Sequence, residues 1–114
     1  INVVGGLRID EPAADLAAAV AVASSYLEQP VNHNTALFGE IGLSGEIRAV
    51  SGAQQRLREI CRLGFRRCIL PAAGSRDLEA PPELELISVH DIREAMKAAF
   101  APENAGGPAA KPGD

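Results

Sequence analysis

Lysine and aromatic residues are scarce in this chain of 114 residues, and each shortage removes a class of function. The only lysines are Lys97 and Lys111, so no lysine is available as a catalytic base ahead of position 97. Three phenylalanines, one tyrosine and no tryptophan are too few for a surface on which successive nucleic-acid bases stack. Any binding of nucleic acid is therefore expected to be directed at the backbone and insensitive to base sequence.

Cysteine and histidine are equally rare. The two cysteines, Cys61 and Cys68, fit neither a disulfide framework nor a zinc site, so we predict two reduced, small core residues of a cytoplasmic protein. His33 lies in the polar run "NHN" and is predicted to be a surface residue, whereas His90 precedes the last helix and is predicted to be structural. From these four isolated side chains we predict no metal site.

Long apolar runs and targeting signals are also missing. The most apolar stretch is bracketed by Asp15 and Glu28, a spacing too short to cross a bilayer, and no signal peptide is visible, so no membrane partner is expected. The glycine runs "VVGG" and "GLSGE" lack the spacing and the lysine of phosphate-binding loops, so no bound nucleotide or other cofactor is expected. Because the chain starts without Met, inside the strand-like run "INVV", we expect a piece of a longer protein.

Charge is distributed unevenly along the chain. The formal net charge is −4, which argues against a general nucleic-acid binder. Between positions 48 and 76, however, the sequence contains seven arginines and only one acidic residue, Glu59. This stretch is either a solvated surface or a basic face that follows phosphates. The candidates for DNA binding are Arg48, Arg58, Arg62, Arg66 and Arg67.

The first quarter of the chain predicts a strand and a buried helix. "INVVGGLRI" is typical of a strand that bends or bulges at Gly5 and Gly6. Asp10, followed by an acid and a proline, is a plausible N-cap for a helix over residues 13–27. Apolar residues lie nearly all round this helix, which predicts that it is buried between other elements.

The middle of the chain predicts a hairpin and an amphipathic helix. "TALFGEI" and "GEIRAV" are strand-like and are joined by "GLSG", so residues 35–50 are predicted to form a β-hairpin. A helix over about 52–63 follows, with Leu57 on its apolar face and Gly64 just beyond its end.

Two further strands and a third helix complete the pattern. "FRRCILP" and "LELISV" are predicted strands, and Ser88 with Asp91 forms a possible capping box for a helix ending at Phe100. The order β-α-β-β-α-β-β-α predicts an α/β (α+β) fold: a mixed sheet with a β-hairpin, covered by about three helices. Residues 1–100 are predicted to be one domain and residues 101–114, rich in Pro, Gly and Ala, a disordered tail.

Three runs carry a family resemblance. "VVGGLRIDEPAADLAAAVAVASS", "FGEIGLSGEIRAV" and "QQRLREICRLGFRRCILP" resemble the C-terminal domain of the RadA (Sms) family of bacterial DNA-repair proteins. That domain is similar in turn to the proteolytic domain of Lon proteases. The resemblance covers nearly the whole chain up to about Phe100 and implies a Lon-protease-like fold.

The resemblance also implies that catalytic residues have been lost. Lon proteases use a serine in a D-G-P-S-A-G motif and a lysine that ends a G-G-L-K-E-K motif; here "DEPAAD" places Ala13 at the serine and "SGAQQR" places Arg56 at the lysine. A serine needs a base to become a nucleophile, and arginine stays protonated at any relevant pH. We therefore predict that no catalytic residue remains and that the domain is a pseudo-protease.

Two interpretations of Arg56 remain open. Its stem could pack while its head pairs with a carboxylate such as Asp10, Glu11 or Asp15. Alternatively, it points into the former active-site region and helps to form a subunit contact or to bind phosphate.

For the whole protein, the resemblance implies a cytoplasmic, hexameric, ATP-driven motor of recombinational repair that promotes branch migration. Its ATP, magnesium and zinc sites would lie upstream of this chain. The implied partners are further copies of itself in a ring, single- and double-stranded DNA, and other recombination proteins.

Two alternatives to this reading differ in class. The first is a Ser-Lys peptidase domain of the Lon type with residual or unconventional hydrolytic activity, which the residues at positions 13 and 56 argue against. The second is the Lon-like domain of magnesium-chelatase-related ATPases, against which "EPAADLA" and "LGFRRCILP" favour the RadA family.

Overall fold

A three-stranded parallel sheet lies at the centre of the fold in the computed structural model, which describes residues 3–4, 7–8 and 11–101. Its strands are β3 (Thr35–Leu37), β6 (Arg67–Pro71) and β7 (Glu85–Val89), in the order β3-β6-β7. The central strand β6 is a continuous apolar run that is buried from Cys68 onward, as expected for a parallel strand covered on both faces.

Three helices in the described part of the chain cover this sheet: α1 (Asp15–Leu27), α2 (Ala53–Arg62) and α3 (Ile92–Phe100). Side chains alternate along β6, so Ile69 packs in a cluster with residues of α1 and α3, whereas Cys68 and Leu70 pack in a second cluster with Leu57 of α2. The predicted α/β fold is confirmed. The helix predicted over 52–63 is confirmed as well, and Gly64 beyond it is left-handed.

The hairpin predicted over residues 35–50 is wrong in extent. The observed hairpin is shorter, with β4 (Glu40–Ile41) antiparallel to β5 (Ile47–Arg48). The segment Thr35–Leu37 pairs in parallel with β6 instead. The cause is Gly39, whose φ of +155° breaks the strand between the two pairings.

Two shorter antiparallel strands replace the single bent strand predicted at the start of the chain. They are β1 (Val3–Val4) and β2 (Leu7–Arg8), and Val4 pairs with Leu7. The two glycines between them lie outside the described residues, as do Asp10, the predicted N-cap, and residues 102–114 of the predicted tail.

The cap of α3 lies three residues later than predicted. Ser88 belongs to β7, and Asp91 is the N-cap, its Oδ1 accepting a hydrogen bond from the backbone N–H of Glu94 at 2.9 Å. Glu94 Oε1 accepts from the backbone N–H of His90 at 2.7 Å and lies 3.0 Å from His90 Nδ1. Both bonds from His90 lower the pKa of Glu94, and the bond from the backbone N–H has the larger effect. The capping box therefore consists of Asp91 and Glu94.

Helix α1 is less buried than its composition predicted. Only Leu16 and Val20 are buried in it, while Val22, Tyr26 and Leu27 are 69%, 86% and 55% exposed. The prediction of complete burial was wrong, because only one side of α1 packs against the domain and large apolar side chains on its other side face solvent. The exposed side of α1 carries no charge between its first residue and its end.

The two cysteines differ in their surroundings. Cys68 is buried, and loss of solvation raises the pKa of its thiol to about 12, whereas Cys61 is half-buried; both are free thiols. The described residues contain no group of three His, Cys, Asp or Glu side chains placed to hold a metal ion. None of the described helices has the length and apolar character needed to cross a membrane.

Candidate functional site

A cavity of about 360 Å³ lies between the start of α1 and helix α2. Its walls come from the turn before α1, from the end of β3 and from the inner side of α2. Most of the lining side chains are apolar, with charged groups at the margin: Glu11, Ala13, Ala14, Ala17, Leu37, Phe38, Arg56, Glu59 and Ile60. A concave, mainly apolar site with a few polar groups is the usual form of a binding site.

Ala13 is placed in this cavity by a 3-10 turn, Pro12–Ala14, that leads into α1. Proline suits this position because its fixed φ matches the first helical turn. The turn is held by Gly39, whose N–H donates to Ala13 O at 2.9 Å and whose carbonyl accepts from Leu16 N–H at 3.0 Å. Ala13 is consequently 4% exposed, with its methyl group in the cavity wall.

Arg56 reaches the same cavity from α2. Its Nη2 lies 2.8 Å from Glu11 Oε2, and its Nε donates to Ser51 O at 3.2 Å. The side chain is 34% exposed, so the pair is only partly shielded from solvent. The predicted pairing of Arg56 with a nearby carboxylate is therefore found, with Glu11 as the partner. Asp15, another candidate, accepts from the backbone N–H of Ile41 at 3.1 Å instead.

Two further hollows, of about 490 and 330 Å³, adjoin the cavity, and Arg56 lines both. Ser51 lies at their shared edge, a position that the sequence did not single out. No lysine lines any of the three cavities among the described residues, and Lys97 lies on α3. A methyl group, a permanently protonated guanidinium and an isolated hydroxyl can bind a ligand here, but they offer no base for acyl transfer.

The arginines predicted to form one basic face are largely paired in the fold. Arg48 pairs with Glu46 at 3.1 Å and Arg67 with Glu85 at 3.5 Å. Arg62 binds Glu59, which lowers the pKa of that carboxyl group. Two neighbouring acids, Glu46 and Glu59, and one distant acid, Glu85, thus offset much of the positive charge of the stretch.

Two of the predicted DNA-binding residues differ from the rest. Arg58 and Arg66 are exposed and make no ion pair with any residue that the structure describes. Arg58 shares the exposed face of α2 with Arg62, and Arg66 follows that helix. Arg48 lies apart, on β5 of the hairpin.

Leu43 was missed by the sequence analysis. It lies at the tip of the β4–β5 hairpin and is fully exposed, with a relative exposure of 103%. Its signal in the sequence is a large apolar residue at the centre of a G-x-x-G turn, where polar residues are usual.

Similar sequences occur in known proteins. Residues 3–102 match the profile of the Lon protease (S16) C-terminal proteolytic domain. The chain is 44% identical over 97 residues to DNA repair protein RadA of Streptococcus pneumoniae, which covers 85% of this chain and 23% of that protein. It is 41% identical over 100 residues to DNA repair protein RadA of Listeria monocytogenes, covering 88% of this chain and 22% of that protein. The corresponding protein of Bacillus subtilis is 42% identical over 97 residues, covering 85% and 21%. The chain therefore spans between a fifth and a quarter of the length of the curated relatives it matches.

Proposed function

Because the chain belongs to the family of Lon protease C-terminal proteolytic domains, we propose that it is a catalytically inactive member that serves ring assembly and DNA binding in a RadA-type repair protein. The observation that carries this proposal is the cavity between α1 and α2. It holds Ala13 and a Glu11-bound Arg56 where the family resemblance implies a serine and a lysine. Without an ionisable nucleophile and base, the cavity can bind but cannot perform acyl transfer.

The purified chain is expected to show no peptidase activity. Casein and small peptides should remain intact, and a serine-directed phosphonate should not label the protein, because neither Ala13 nor Arg56 supplies the required chemistry. Mass spectrometry of the probe-treated chain checks this, with an active Lon protease as the positive control. Labelling of Ser51 in chain that has been freed of contaminating proteases would reject the proposed inactivity and favour unconventional hydrolysis.

The assembly role is supported by the exposed face of α1. Val22 and Tyr26 lie four residues apart on the solvent side of the helix, and no charge interrupts that side. Uncharged, partly aromatic surface is typical of the centre of a protein–protein interface. Ring assembly requires such surface because each subunit must contact two neighbours.

Replacement of Tyr26 by serine should weaken self-association about tenfold or more, the loss typical of an aromatic residue central to an interface. Sedimentation velocity over a concentration series measures the dissociation constant. Leu63→Ser is the control, because Leu63 is a similarly exposed apolar residue that directly follows another helix. A chain that stays monomeric at the highest concentration would reject the assembly role.

DNA binding is supported by the exposed face of α2. Arg58 and Arg62 lie one helical turn apart on this face, and Arg66 follows. Helix α2 contains no aromatic residue on which a base could stack. Its arginines would therefore contact phosphates, and binding would be independent of base sequence.

Reversal of charge at Arg58 and Arg62, each to glutamate, should weaken DNA binding equally for all sequences. The salt dependence should fall by about two counterions, roughly one for each lost phosphate contact. Anisotropy of labelled single- and double-stranded oligonucleotides across a salt series measures both quantities. Arg93→Glu, an exposed change on α3, is the matched control. If affinity and salt slope are unchanged by the double reversal, the arginines are a solvated surface and the proposal reduces to assembly.

The wider role extends the same proposal to the longer protein. We expect a cytoplasmic, hexameric, ATP-dependent motor of recombinational repair that acts with other recombination proteins. The ATPase, magnesium and zinc sites would be supplied by other parts of that protein.

A further inference from the structure

The tip of the β4–β5 hairpin carries a leucine, Leu43, whose side chain does not pack against the rest of the domain. Residues 42–45 form a tight turn in which the N–H of Gly45 donates to Gly42 O at 3.0 Å. Gly45 has a φ of +84°, which closes the turn and returns the chain to β5. Leu43 is fully exposed at the centre of this turn. A large apolar side chain in such a position is a candidate anchor for another molecule.

The turn is braced by hydrogen bonds, so the backbone that carries Leu43 is held in place. Glu46 Oε1 accepts from the N–H of Ser44 at 3.0 Å, and Glu46 Oε2 accepts from Nε of Arg48 at 3.1 Å. Hydrogen bonds from its own backbone, from Arg48 and from Ser44 lower the pKa of Glu46, so this carboxylate stays charged and bound near neutral pH. A turn whose backbone is already ordered loses little backbone entropy on binding.

The base of the same turn is tied to the start of α3. Gly45 O accepts from the N–H of Ile92 at 2.9 Å, and His90 O accepts from the N–H of Ile47 at the same distance. The hairpin therefore projects from the body of the domain as a rigid element, with Leu43 at its tip.

The cavity between α1 and α2 has the complementary properties. Its volume of about 360 Å³ admits a leucine side chain, and its walls are mainly aliphatic and aromatic. The charges at its margin are already neutralised in two pairs, Glu11 with Arg56 and Glu59 with Arg62. An uncharged turn that enters the cavity consequently leaves no buried charge without a partner.

A row of small side chains on α1 begins in the cavity and ends outside it. Ala14 and Ala17 line the cavity, and exposed Ala21 follows at the next helical spacing. Small side chains along this row allow a neighbouring backbone to approach closely. The same row leads towards the surface on which the assembly role rests.

We propose that Leu43 of one copy inserts into the cavity between α1 and α2 of a second copy. This inference rests on the proposed assembly function and names its contact. Hairpin tip and cavity are different surfaces of one chain, so the contact is heterologous, and every copy offers one of each to its neighbours. The cavity that held a catalytic dyad in peptidases of this family thereby becomes the socket of a subunit contact.

The experiment uses two single variants and their mixture. Leu43→Ser removes the anchor from a fully exposed turn, and Ala17→Phe fills the cavity. Each variant alone should raise the dissociation constant of self-association about tenfold to hundredfold, the range expected for exposing one buried leucine. Mixed in equal amounts, they should recover a dimer, because one partner keeps the anchor and the other keeps the cavity. Sedimentation velocity measures all three samples, and circular dichroism checks that each variant is folded.

Each outcome decides the inference. Association of Leu43→Ser at the unsubstituted strength, or a mixture no stronger than its components, overturns it; Leu63→Ser is the control for a generic loss of apolar surface. If Tyr26→Ser weakens association while Leu43→Ser leaves it unchanged, assembly stands and this contact fails. If the unsubstituted chain is monomeric, both the assembly role and the Leu43 contact are rejected. The mixture is scored only if Ala17→Phe is folded; otherwise Leu43→Ser alone decides, since Leu43 is fully exposed in its own chain.

Discussion

Replacement of Gly39 by alanine should lower the free energy of unfolding by about 2–6 kcal/mol, the sum of backbone strain and overpacking. Gly39 has a φ of +155°, a conformation that residues with a side chain rarely adopt. A Cβ atom there would lie 2.8 Å from Cγ2 of Ile47 and 3.3 Å from Cγ of Pro71. Both neighbours are buried and cannot move aside cheaply. Urea denaturation followed by circular dichroism measures the loss.

Gly64→Ala is the matched control for this change. Gly64 also has a positive φ, +99°, but no atom lies within 4 Å of a Cβ built on it. Its replacement should therefore cost only the conformational strain, about 1–2 kcal/mol. Equal losses at the two positions would show that close packing around Gly39 contributes nothing. The comparison matters for the site, since Gly39 holds the turn that carries Ala13.

Replacement of Leu57 by alanine should cost about 2–5 kcal/mol of the free energy of unfolding, the range for a buried leucine that leaves a cavity behind. Leu57 has no exposed surface and packs against β6 through Cys68 and Leu70. Because a domain of this size is stable by only about 5–15 kcal/mol, the variant should unfold at much lower urea.

Leu63→Ala is the control for Leu57→Ala, since Leu63 lies about one and a half helical turns after Leu57. Leu63 follows α2 directly and is 61% exposed, so its truncation should change stability by no more than about 0.5 kcal/mol. A large loss at Leu63, or a small one at Leu57, would contradict the assignment of the inner face of α2.

How much of the fold could be predicted depends on the range of the interactions. Helix α2 was predictable because its apolar face repeats at the helical period within a few turns. The division of residues 35–50 between two sheets was not predictable, because the parallel partner of β3 is β6, which lies beyond helix α2 in the sequence. A strand-like pattern reports burial, but it does not identify the neighbouring strand.

The charged surface shows the same limit. A count along the chain gives a strongly basic stretch, yet Arg67 meets Glu85 and Arg56 meets Glu11 only after folding. The motif comparison was more informative for the cavity, since it singled out positions 13 and 56, which line the same cavity. It did not point to Leu43, whose signal is a single apolar residue in a solvent-exposed turn and not a periodic pattern.

The parallel register of the sheet has a kinetic consequence. In the sheet, Arg67 of β6 lies opposite Glu85 of β7 on one side and Thr35 of β3 on the other. Thr35 is separated from Arg67 by nearly twice as many residues as Glu85 is. Closing the longer loop costs more entropy, although the cost grows slowly with length. The β6–β7 pair is therefore expected to form before β3 joins it, and the cavity, one wall of which comes from Leu37 and Phe38, is completed late in folding. During synthesis the chain would thus expose its apolar socket until the last strand of the sheet has emerged.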